Sequence, residues 1–543
     1  MKKSLLSRAI CIFLALCMLI GCTACGGSGG KSKGGKGLTD FTFPLEEEIT
    51  FNFMIQGVES TTFKTDLEKN VLWKKLKEET NVNIEFTFLG TNPTQQLALL
   101  ANSGKYGDVL MGGPILNSIT ASLYYESGMF VPITEYVNEK YMPNFMNRVV
   151  GENPEVLKTM TAPDGEYITL PQYNGMPAQY LESPIWVNQA WLTKLGLSAP
   201  KTLDELKNVL KAFATGDPNG NGKKDEIPLM ICVDRDYYSF QPWMAMFGVA
   251  TKSGNNDAYV QVKDGKVEFQ PTTAGYKDAL KFFRELYKEE LIYAEAFTAS
   301  QSTAEAKMSA ATPVVGMYTF PYRFETTYMD DYVPILPPSA EGYETCWYLN
   351  PGANGVKNIC FVTDKCENTT VLMSWLDRLY TLENTAEILY GTVEEGRVEI
   401  DENGKYTFIE HDLATSAKLA LEHPTLSSLT KLTTNALTKD DFENKIAYSR
   451  VNQDKNNAYT LYSQAGIIND EIWPRPYLAG EDANTISDTS TDIFYAVDQF
   501  LTKTVSGVWD IDEKWDTYVK DLENAGLKTY IDVLQRSYDE FVK

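Results

Sequence analysis

The chain has 543 residues, of which 43% are hydrophobic, and its formal net charge at pH 7 is −24. A body this acidic disfavours nucleic acid and anionic lipid headgroups as partners. The length suits two or more packed lobes. The four cysteines after residue 200 are too few for a disulfide scaffold, although one bridge is possible.

The N-terminal segment predicts a secretory signal. Three basic residues among the first eight precede an apolar stretch over 9–20, which is shorter than the ~20 residues that cross a bilayer. The stretch ends in Leu19-Ile20-Gly21-Cys22, which resembles the lipobox of bacterial lipoproteins. That resemblance implies cleavage after residue 21 and a lipid on Cys22, at the extracellular face of the cell membrane. An ordinary cleaved signal is the alternative.

Residues 22–45 predict a flexible tether. The run 26–37 contains only Gly, Ser and Lys, a composition that cannot bury apolar surface. We therefore expect the folded body to be spaced from a membrane by this segment.

The first part of the body predicts alternating strands and helices. Residues 48–55, 83–88 and 107–113 have strand character. Thr65-Asp66-Leu67-Glu68 is a capping box that predicts a helix start, and a second helix is expected around 94–102. This rhythm is typical of an α/β lobe with a largely parallel sheet, in which ligands lie at the carboxyl ends of strands.

A second group of elements follows. Residues 184–206 predict a strand, a helix and another helix start, where Thr202 and Glu205 form a second capping box. The positions from Leu203 to Phe213 that keep helical spacing predict a buried face. Residues 265–269 predict the edge of a hairpin, and a long helix is expected through Tyr276, Leu280, Phe283 and Leu286.

Six segments along the chain carry a family resemblance through their common order. They are GMFVPITEY (128–136), DGEYITLP (164–171), 191–206, LYKEELI (286–292), VVGMYT (314–319) and DEKWDTYV (512–519). Their order resembles that of extracellular solute-binding proteins of ABC importers, in the maltose-binding-like branch that includes alginate-oligosaccharide-binding proteins.

The resemblance implies a periplasmic-binding-protein-like α/β fold of type II, with a ligand cleft between two lobes joined by hinge strands. By analogy, residues 46–172 and 346–390 form lobe 1, residues 173–345 form lobe 2, and a C-terminal helical segment, 391–543, packs mainly on lobe 2. Closure of the lobes on a ligand requires contacts to both, and the closed form would dock on the permease of the importer. We expect a monomer.

A loop within lobe 2 predicts a structural calcium site. In the run that starts at Asp217 and ends at Pro228, oxygen-bearing side chains occupy places one, three, five and nine, and glycine occupies place six, as in an EF-hand loop. Proline replaces the usual glutamate at place twelve, and Glu226 resembles the carboxylate used by the alginate-binding relatives. A turn that binds nothing is the alternative. The expected ligands are the side chains of Asp217, Asn219, Asn221, Asp225 and Glu226 and the backbone carbonyl of Lys223.

The residue inventory favours a binding protein over an enzyme. His411 and His423 are the only histidines, which leaves little material for a histidine-based hydrolase or zinc site. Acidic residues could supply the carboxylate pair of a glycosidase, but the order of the family segments argues against it. We predict capture of an oligosaccharide without catalysis; a peptide receptor and a carbohydrate-active enzyme are the alternatives.

A sugar cleft needs flat aromatic faces together with planar polar groups, and the chain has 9 Trp and 31 Tyr. The candidates lie near predicted strand ends and crossings, and for each of them packing inside a lobe is the alternative. No residue identifies the sugar. The candidates are Gln56, Glu59, Tyr173, Asn174, Trp243, Tyr322, Arg323 and Trp347.

Overall fold

The computed structural model describes residues 40–112, 115–181, 183–234, 236–250, 259–349, 355–409, 411–432, 434–469, 471 and 473–543. The predicted signal, Cys22 and most of the predicted tether lie outside these residues. Within the described ranges, no helix combines the length and the apolar character needed to span a membrane.

The strands of the described residues are short. They are β1 (Ile49–Ile55), β2 (Val82–Phe88), β3 (Val109–Met111), β4 (Leu170–Asn174), β5 (Ile185–Asn188), β6 (Ile227–Leu229), β7 (Val260–Lys263), β8 (Lys266–Phe269), β9 (Val315–Thr319), β10 (Tyr332–Ile335), β11 (Val356–Val362), β12 (Val398–Ile400), β13 (Tyr406–Phe408) and β14 (Ala436–Leu437).

Helices separate most of these strands and dominate the C-terminal third. They are α1 (Phe63–Lys69), α2 (Val71–Thr80), α3 (Pro93–Ser103), α4 (Ser118–Glu126), α5 (Val156–Met160), α6 (Gln189–Lys194), α7 (Leu203–Thr215), α8 (Gln241–Met244), α9 (Ala274–Lys288), α10 (Gln301–Met308), α11 (Thr369–Arg378), α12 (Leu382–Tyr390), α13 (Leu413–Glu422), α14 (Leu426–Thr430), α15 (Arg450–Gln464), α16 (Gly480–Val505), α17 (Ile511–Asn524) and α18 (Leu527–Phe541).

Two sheets form the centres of the two lobes. The first has six strands in the order β14-β4-β11-β3-β1-β2, and the second has four in the order β10-β5-β9-β6. In the first sheet only β11 runs antiparallel to its neighbours, β3 and β4, so the four N-terminal strands all end at one edge. The protein therefore has the two-lobed α/β architecture that the sequence predicted.

The chain crosses between the sheets at these carboxyl edges. It leaves the first sheet at Asn174, the end of β4, and enters the second at Ile185, which pairs with Thr319 at the end of β9. It returns at Val356, which pairs with Tyr173. The two crossing segments also contact each other through a bridge between Leu181 and Leu349. The strand ends of both lobes consequently meet at the crossing.

Each lobe has its own hydrophobic core. Phe53, Trp375 and Tyr380 belong to the core beneath the first sheet. Leu210 and Phe283 belong to the core of the second lobe, which also includes the buried faces of α16, α17 and α18. Within residues 398–446, Leu426 and Leu432 join the core of the first lobe, β14 joins the first sheet, and Phe442 packs in a small cluster with Met176 from the crossing.

Several local predictions are confirmed. Thr202 caps α7, and its hydroxyl accepts a hydrogen bond from the Glu205 amide at 3.2 Å. Phe213 lies on the buried face of that helix, and β7 and β8 form the hairpin expected near 265–269. The predicted long helix is α9, whose Tyr276 is fully buried.

The first predicted helix start was wrong. Helix α1 begins at Phe63, so Thr65 lies inside it, and the chain becomes extended at Asn70 before α2 begins. The Asn70 side chain caps α2 by accepting from the Trp73 amide at 3.0 Å. Its amide nitrogen also donates to the carbonyl of Pro424 at 3.3 Å. The expected single helix is therefore two helices, and the residue between them contacts a distant segment.

Candidate ligand-binding site

An aromatic surface lies at the carboxyl edge of the second sheet. Phe320 follows the end of β9 and is 8% exposed. Its ring contacts Tyr237 edge-on at a centroid distance of 5.6 Å and Tyr322 edge-on at 4.9 Å. Both tyrosines are half-buried, and burial raises the pKa of Tyr322, which keeps its hydroxyl protonated. The Tyr237-Phe320-Tyr322 surface thus offers two phenol side chains beside the crossing.

Arg323, directly after Tyr322, holds the part of this surface that follows β9 through two ion pairs. Its Nε donates to Asp454 Oδ1 at 2.9 Å, and its Nη1 lies 2.8 Å from Asp330. Burial opposes the charged guanidinium, but the hydrogen bonds and charges of Asp454 and Asp330 together outweigh it and raise the pKa of Arg323. Asp454 is 2% exposed and also pairs with Arg450 at 3.4 Å. The predicted role of Arg323 in binding ligand stays untested, whereas its role in fixing the loop after β9 is evident.

The first lobe has exposed polar side chains at the carboxyl edge of its own sheet. Gln56 and Glu59 lie in the loop after β1 and are exposed. This loop is tied to the one after β2, because Gly57 and Gly90 exchange backbone hydrogen bonds of 3.3 and 2.7 Å. Gly57 has a φ of +121°, a value that excludes most side chains. The predicted roles of Gln56 and Glu59 in ligand contact stay predictions.

Tyr173 and Asn174 lie where the chain leaves β4. The Tyr173 ring is 4% exposed, and its hydroxyl donates to Glu152 Oε1 at 2.8 Å. Asn174 is half-buried, and its side-chain oxygen accepts from the Met176 amide at 3.0 Å. The burial of Tyr173 contradicts the expectation that its face contacts a sugar, whereas Asn174 keeps its place at the edge.

The two tryptophans proposed as sugar platforms are core residues. Trp243 is 0% exposed and Trp347 is 1% exposed. Trp347 packs edge-on against Tyr462 with a centroid distance of 5.0 Å, and its amide donates to the Ile467 carbonyl at 2.6 Å. A stacking platform needs a face that a sugar ring can reach. The burial of both indoles therefore contradicts their predicted role.

The predicted calcium loop has an ordered backbone between α7 and β6. The side-chain oxygen of Asn219 accepts from the Asn221 amide at 3.0 Å, and that of Asn221 accepts from the Lys223 amide at 2.7 Å. Lys194 Nζ donates to the carbonyl of Asp217 at 3.0 Å. The side-chain amide nitrogens of both asparagines donate to Asp225 at 3.1 Å, and these bonds, that of Asn219 first, lower the pKa of Asp225.

Glu226 is the feature of this loop that fits a cation. Its Oε1 is buried and makes no hydrogen bond. Burial raises the pKa of Glu226, and the charges of Asp225 and Asp217 add to the effect. Within the described ranges, no three His, Cys, Asp or Glu side chains converge as a metal site. The side chains of the loop are nonetheless oxygen donors of the kind that a hard cation binds, and holding one would require the asparagine amides to turn their oxygens inward.

Within the described ranges, the three buried cysteines do not form a reactive site. Cys232, Cys360 and Cys366 are buried thiols without a disulfide. Burial raises the pKa of Cys366 to about 12, so it is a neutral thiol at physiological pH. This arrangement suits packing and not nucleophilic chemistry.

Three residues of the candidate site were missed by sequence analysis. Tyr237 follows β6, whose three residues are too short to stand out as a strand. Gln179 lies in the crossing segment, and Lys455 comes from α15, far along the chain. Lys455 Nζ donates to Gln179 Oε1 at 2.6 Å and lies 6.0 Å from the Tyr322 ring centroid. No local sequence signal marks a pairing between segments so far apart.

Two lobes whose strand ends meet at paired crossing segments define a class of ligand-binding protein that closes around its ligand. Residues 60–348 match the family of bacterial extracellular solute-binding proteins. Because the match covers more than half of the chain, the protein belongs to that family.

Full-length relatives agree with this assignment. The fructooligosaccharide ABC transporter substrate-binding protein FusA of Streptococcus pneumoniae is 27% identical over 560 aligned positions, which cover 99% of this chain and 98% of FusA. Among solved structures, a solute-binding protein of Bifidobacterium longum infantis, described as binding HMO, superposes with a TM-score of 0.78 at 24% identity, covering 91% of this chain and 99% of that one. An EF-hand mutant of FusA in complex with fructo-nystose gives 0.77 at 24% identity, with the same coverage.

Proposed function

We propose that this protein captures an oligosaccharide between its lobes and delivers it to the permease of an ABC importer. The observation that carries the proposal is the Tyr237-Phe320-Tyr322 surface at the crossing, since half-buried phenols offer both an apolar face and a hydroxyl to a sugar. FusA, which aligns with nearly the whole chain, is named for fructooligosaccharide. A short β-fructan is therefore the first ligand to test.

The exposed loop after β1 supplies the second half of the proposed contact. Gln56 and Glu59 lie at the carboxyl edge of the first sheet, where ligands bind in such sheets. Only a ligand that contacts both lobes gains affinity from closure. We therefore propose that the glycan spans from Gln56, Glu59 and Asn174 to the Tyr237-Phe320-Tyr322 surface.

We infer that the 217–226 loop holds a structural calcium ion. Support comes from the partnerless Glu226 oxygen beside two further carboxylates and from the FusA structure described as an EF-hand mutant. The bound ion would neutralise carboxylates that otherwise repel one another. The loop contains no residue of the Tyr237-Phe320-Tyr322 surface, so its proposed role is stability and not sugar recognition.

We infer that the mature protein is held at the extracellular face of the membrane by a lipid on Cys22 and acts as a monomer without catalysis. Mass spectrometry of the mature N-terminus, with Cys22→Ala as control, tests the anchor. For the function, a thermal-shift screen of the unlipidated chain from residue 22 against glycan and peptide libraries, with product analysis of each hit, separates the alternatives. Binding of a glycan that is recovered intact supports the proposal. Binding of a peptide would show that the ligand is a peptide, and recovery of cleaved products would show that the protein is an enzyme.

A further inference from the structure

The guanidinium of Arg450 lies beside the loop that carries Tyr322. Arg450 is the first residue of α15. Its Nη1 donates to the backbone carbonyl of Arg323 at 3.3 Å and to Asp454 Oδ2 at 3.4 Å. Because Arg323 directly follows Tyr322, these bonds hold the cation next to the aromatic surface of lobe 2. Burial raises the pKa of Tyr322, and the charge of Arg450 acts against that rise, so the two groups lie within electrostatic range of each other.

The same helix also lies against the crossing. The side-chain oxygen of Asn452, two positions after Arg450, accepts from Gln179 Nε2 at 2.5 Å. Gln179 belongs to the segment that joins β4 to β5. Arg450 is thus placed where the loop after β9 and the crossing segment come together.

The contacts of Arg450 use only part of its hydrogen-bonding capacity. A guanidinium has five N–H groups, and the two bonds described above use those of Nη1. Within the described ranges, Nε and Nη2 make no hydrogen bond, and the side chain is 29% exposed. Asp454 is already bonded by Arg323 Nε at 2.9 Å, so Arg450 is the second cation on one buried carboxylate. Three donors on an anchored and partly exposed cation therefore remain for a ligand.

We propose that Arg450 contacts the ligand by donating two parallel hydrogen bonds to neighbouring hydroxyl oxygens of the glycosyl unit that stacks on Tyr322. A planar guanidinium presents its N–H groups as a rigid fork that suits paired oxygens, and adjacent hydroxyls on a sugar ring form such a pair. Since the protein itself uses Nη1, the fork consists of Nε and Nη2. The inference rests on the proposed capture of a glycan.

Arg450→Met tests this proposal because it keeps much of the apolar stem and removes every donor. In calorimetry of the unlipidated mature chain with kestose, or with the glycan identified by screening, we expect Kd to rise about ten-fold or more, the usual size for hydrogen bonds from a charged donor. Arg284→Met is the matched control and should leave Kd unchanged. Arg284 Nη1 likewise donates to a carbonyl, that of Trp509 at 3.2 Å, and to a carboxylate, Asp510 at 3.4 Å, and its side chain is 32% exposed.

Analogues of the same glycan that each lack one hydroxyl separate direct contact from an indirect effect through the loop after β9. If Arg450 donates to a particular hydroxyl, removal of that hydroxyl and removal of the guanidinium delete the same bond, so their effects on affinity are not additive. For one or two analogues, Arg450→Met should therefore raise Kd by less than about three-fold. Each Kd is measured well below the melting temperature of the least stable variant, so that loss of folded protein does not enter the comparison.

The outcomes separate the inference from the proposed function. A Kd for Arg450→Met within about two-fold of that of the wild type overturns the role of Arg450 and leaves glycan capture intact. An equal loss of affinity for the parent glycan and for every analogue also overturns it, because Arg450 would then act only by holding the loop. Failure of the wild-type chain to bind any glycan overturns both proposals.

Discussion

Arg323 and Asp454 join the loop after β9 to α15 across 131 positions of sequence, with Nη2 2.8 Å from Oδ1 and a second bond from Nε at 2.9 Å. The carboxylate is 2% exposed. Such a pair fixes relative position, because breaking it leaves a buried charge without its main partner.

Arg323→Met should therefore destabilise the protein by about 3 kcal/mol, near the lower end for a broken buried pair because Arg450 still contacts Asp454. Urea unfolding of wild type and variant measures the difference. Lys528→Ala, which removes an exposed helical pair with Asp532, serves as the control and should change stability by less than about 0.5 kcal/mol. A loss from Arg323→Met no larger than this control would mean that the pair is not structural.

Calcium should raise the melting temperature, since an ion that binds only the folded state stabilises it by about 2.7 kcal/mol at one hundred times Kd. Asp225→Asn should abolish the response to calcium and to chelator. Asp401→Asn alters another exposed turn, in which Asp401 accepts from the Asn403 amide at 2.8 Å, and should keep the full response. Identical melting curves with calcium and with chelator would favour the turn that binds nothing.

Trp347→Ala should reduce stability and not sugar affinity. The side chain is buried against Tyr462, and truncation of a buried aromatic costs about 3–5 kcal/mol. Chemical denaturation measures the stability, and calorimetry of the folded variant measures the sugar affinity. A several-fold loss of affinity in a variant that stays fully folded would restore Trp347 as a ligand contact.

The stability difference between Asp377→Asn and wild type should depend on pH. Asp377 accepts hydrogen bonds from the amides of Asn144 and Phe145, yet burial raises its pKa in the folded chain above the ordinary 3.8. As pH rises past that value the unfolded chain loses this proton first, so the stability of the folded chain falls until the pH exceeds the raised pKa and stays lowered above it.

Asp377→Asn removes this cost, so its stability relative to wild type should increase as pH rises above about 3.8 and level off once the pH passes the raised pKa. Urea unfolding at several pH values measures the trend. Asp401→Asn, on an exposed turn, should show no such trend. A difference for Asp377→Asn that is flat across the range, or that falls as pH rises, would contradict the raised pKa.

The sequence predicted the elements whose signals are local. The face of α7 follows from its helical spacing, and its start follows from Thr202 and Glu205, because both depend on neighbours within a few residues. The break at Asn70 lies at a contact with Pro424, which is far along the chain. Such contacts leave no periodic signal in the segment that they interrupt.

The binding site was predicted only in part, for a related reason. Tyr322 was found because it follows a recognisable strand, whereas Lys455 reaches the same place from α15. Trp243 follows the predicted calcium loop and Trp347 precedes the predicted return crossing, but the same apolar area that favours sugar stacking also favours burial in a core. Position along a strand does not distinguish these two outcomes.

The most direct test of glycan capture is calorimetry of the unlipidated mature chain and its Tyr322→Ala variant with a short β-fructan, followed by analysis of the recovered sugar. The account predicts binding of intact sugar by the wild type. It also predicts at least a several-fold weaker Kd for Tyr322→Ala, because ring stacking is worth on the order of 1 kcal/mol beyond buried area. Equal affinity of the two proteins for every glycan bound would contradict a site built on Tyr322, and cleaved sugar would contradict a binding protein.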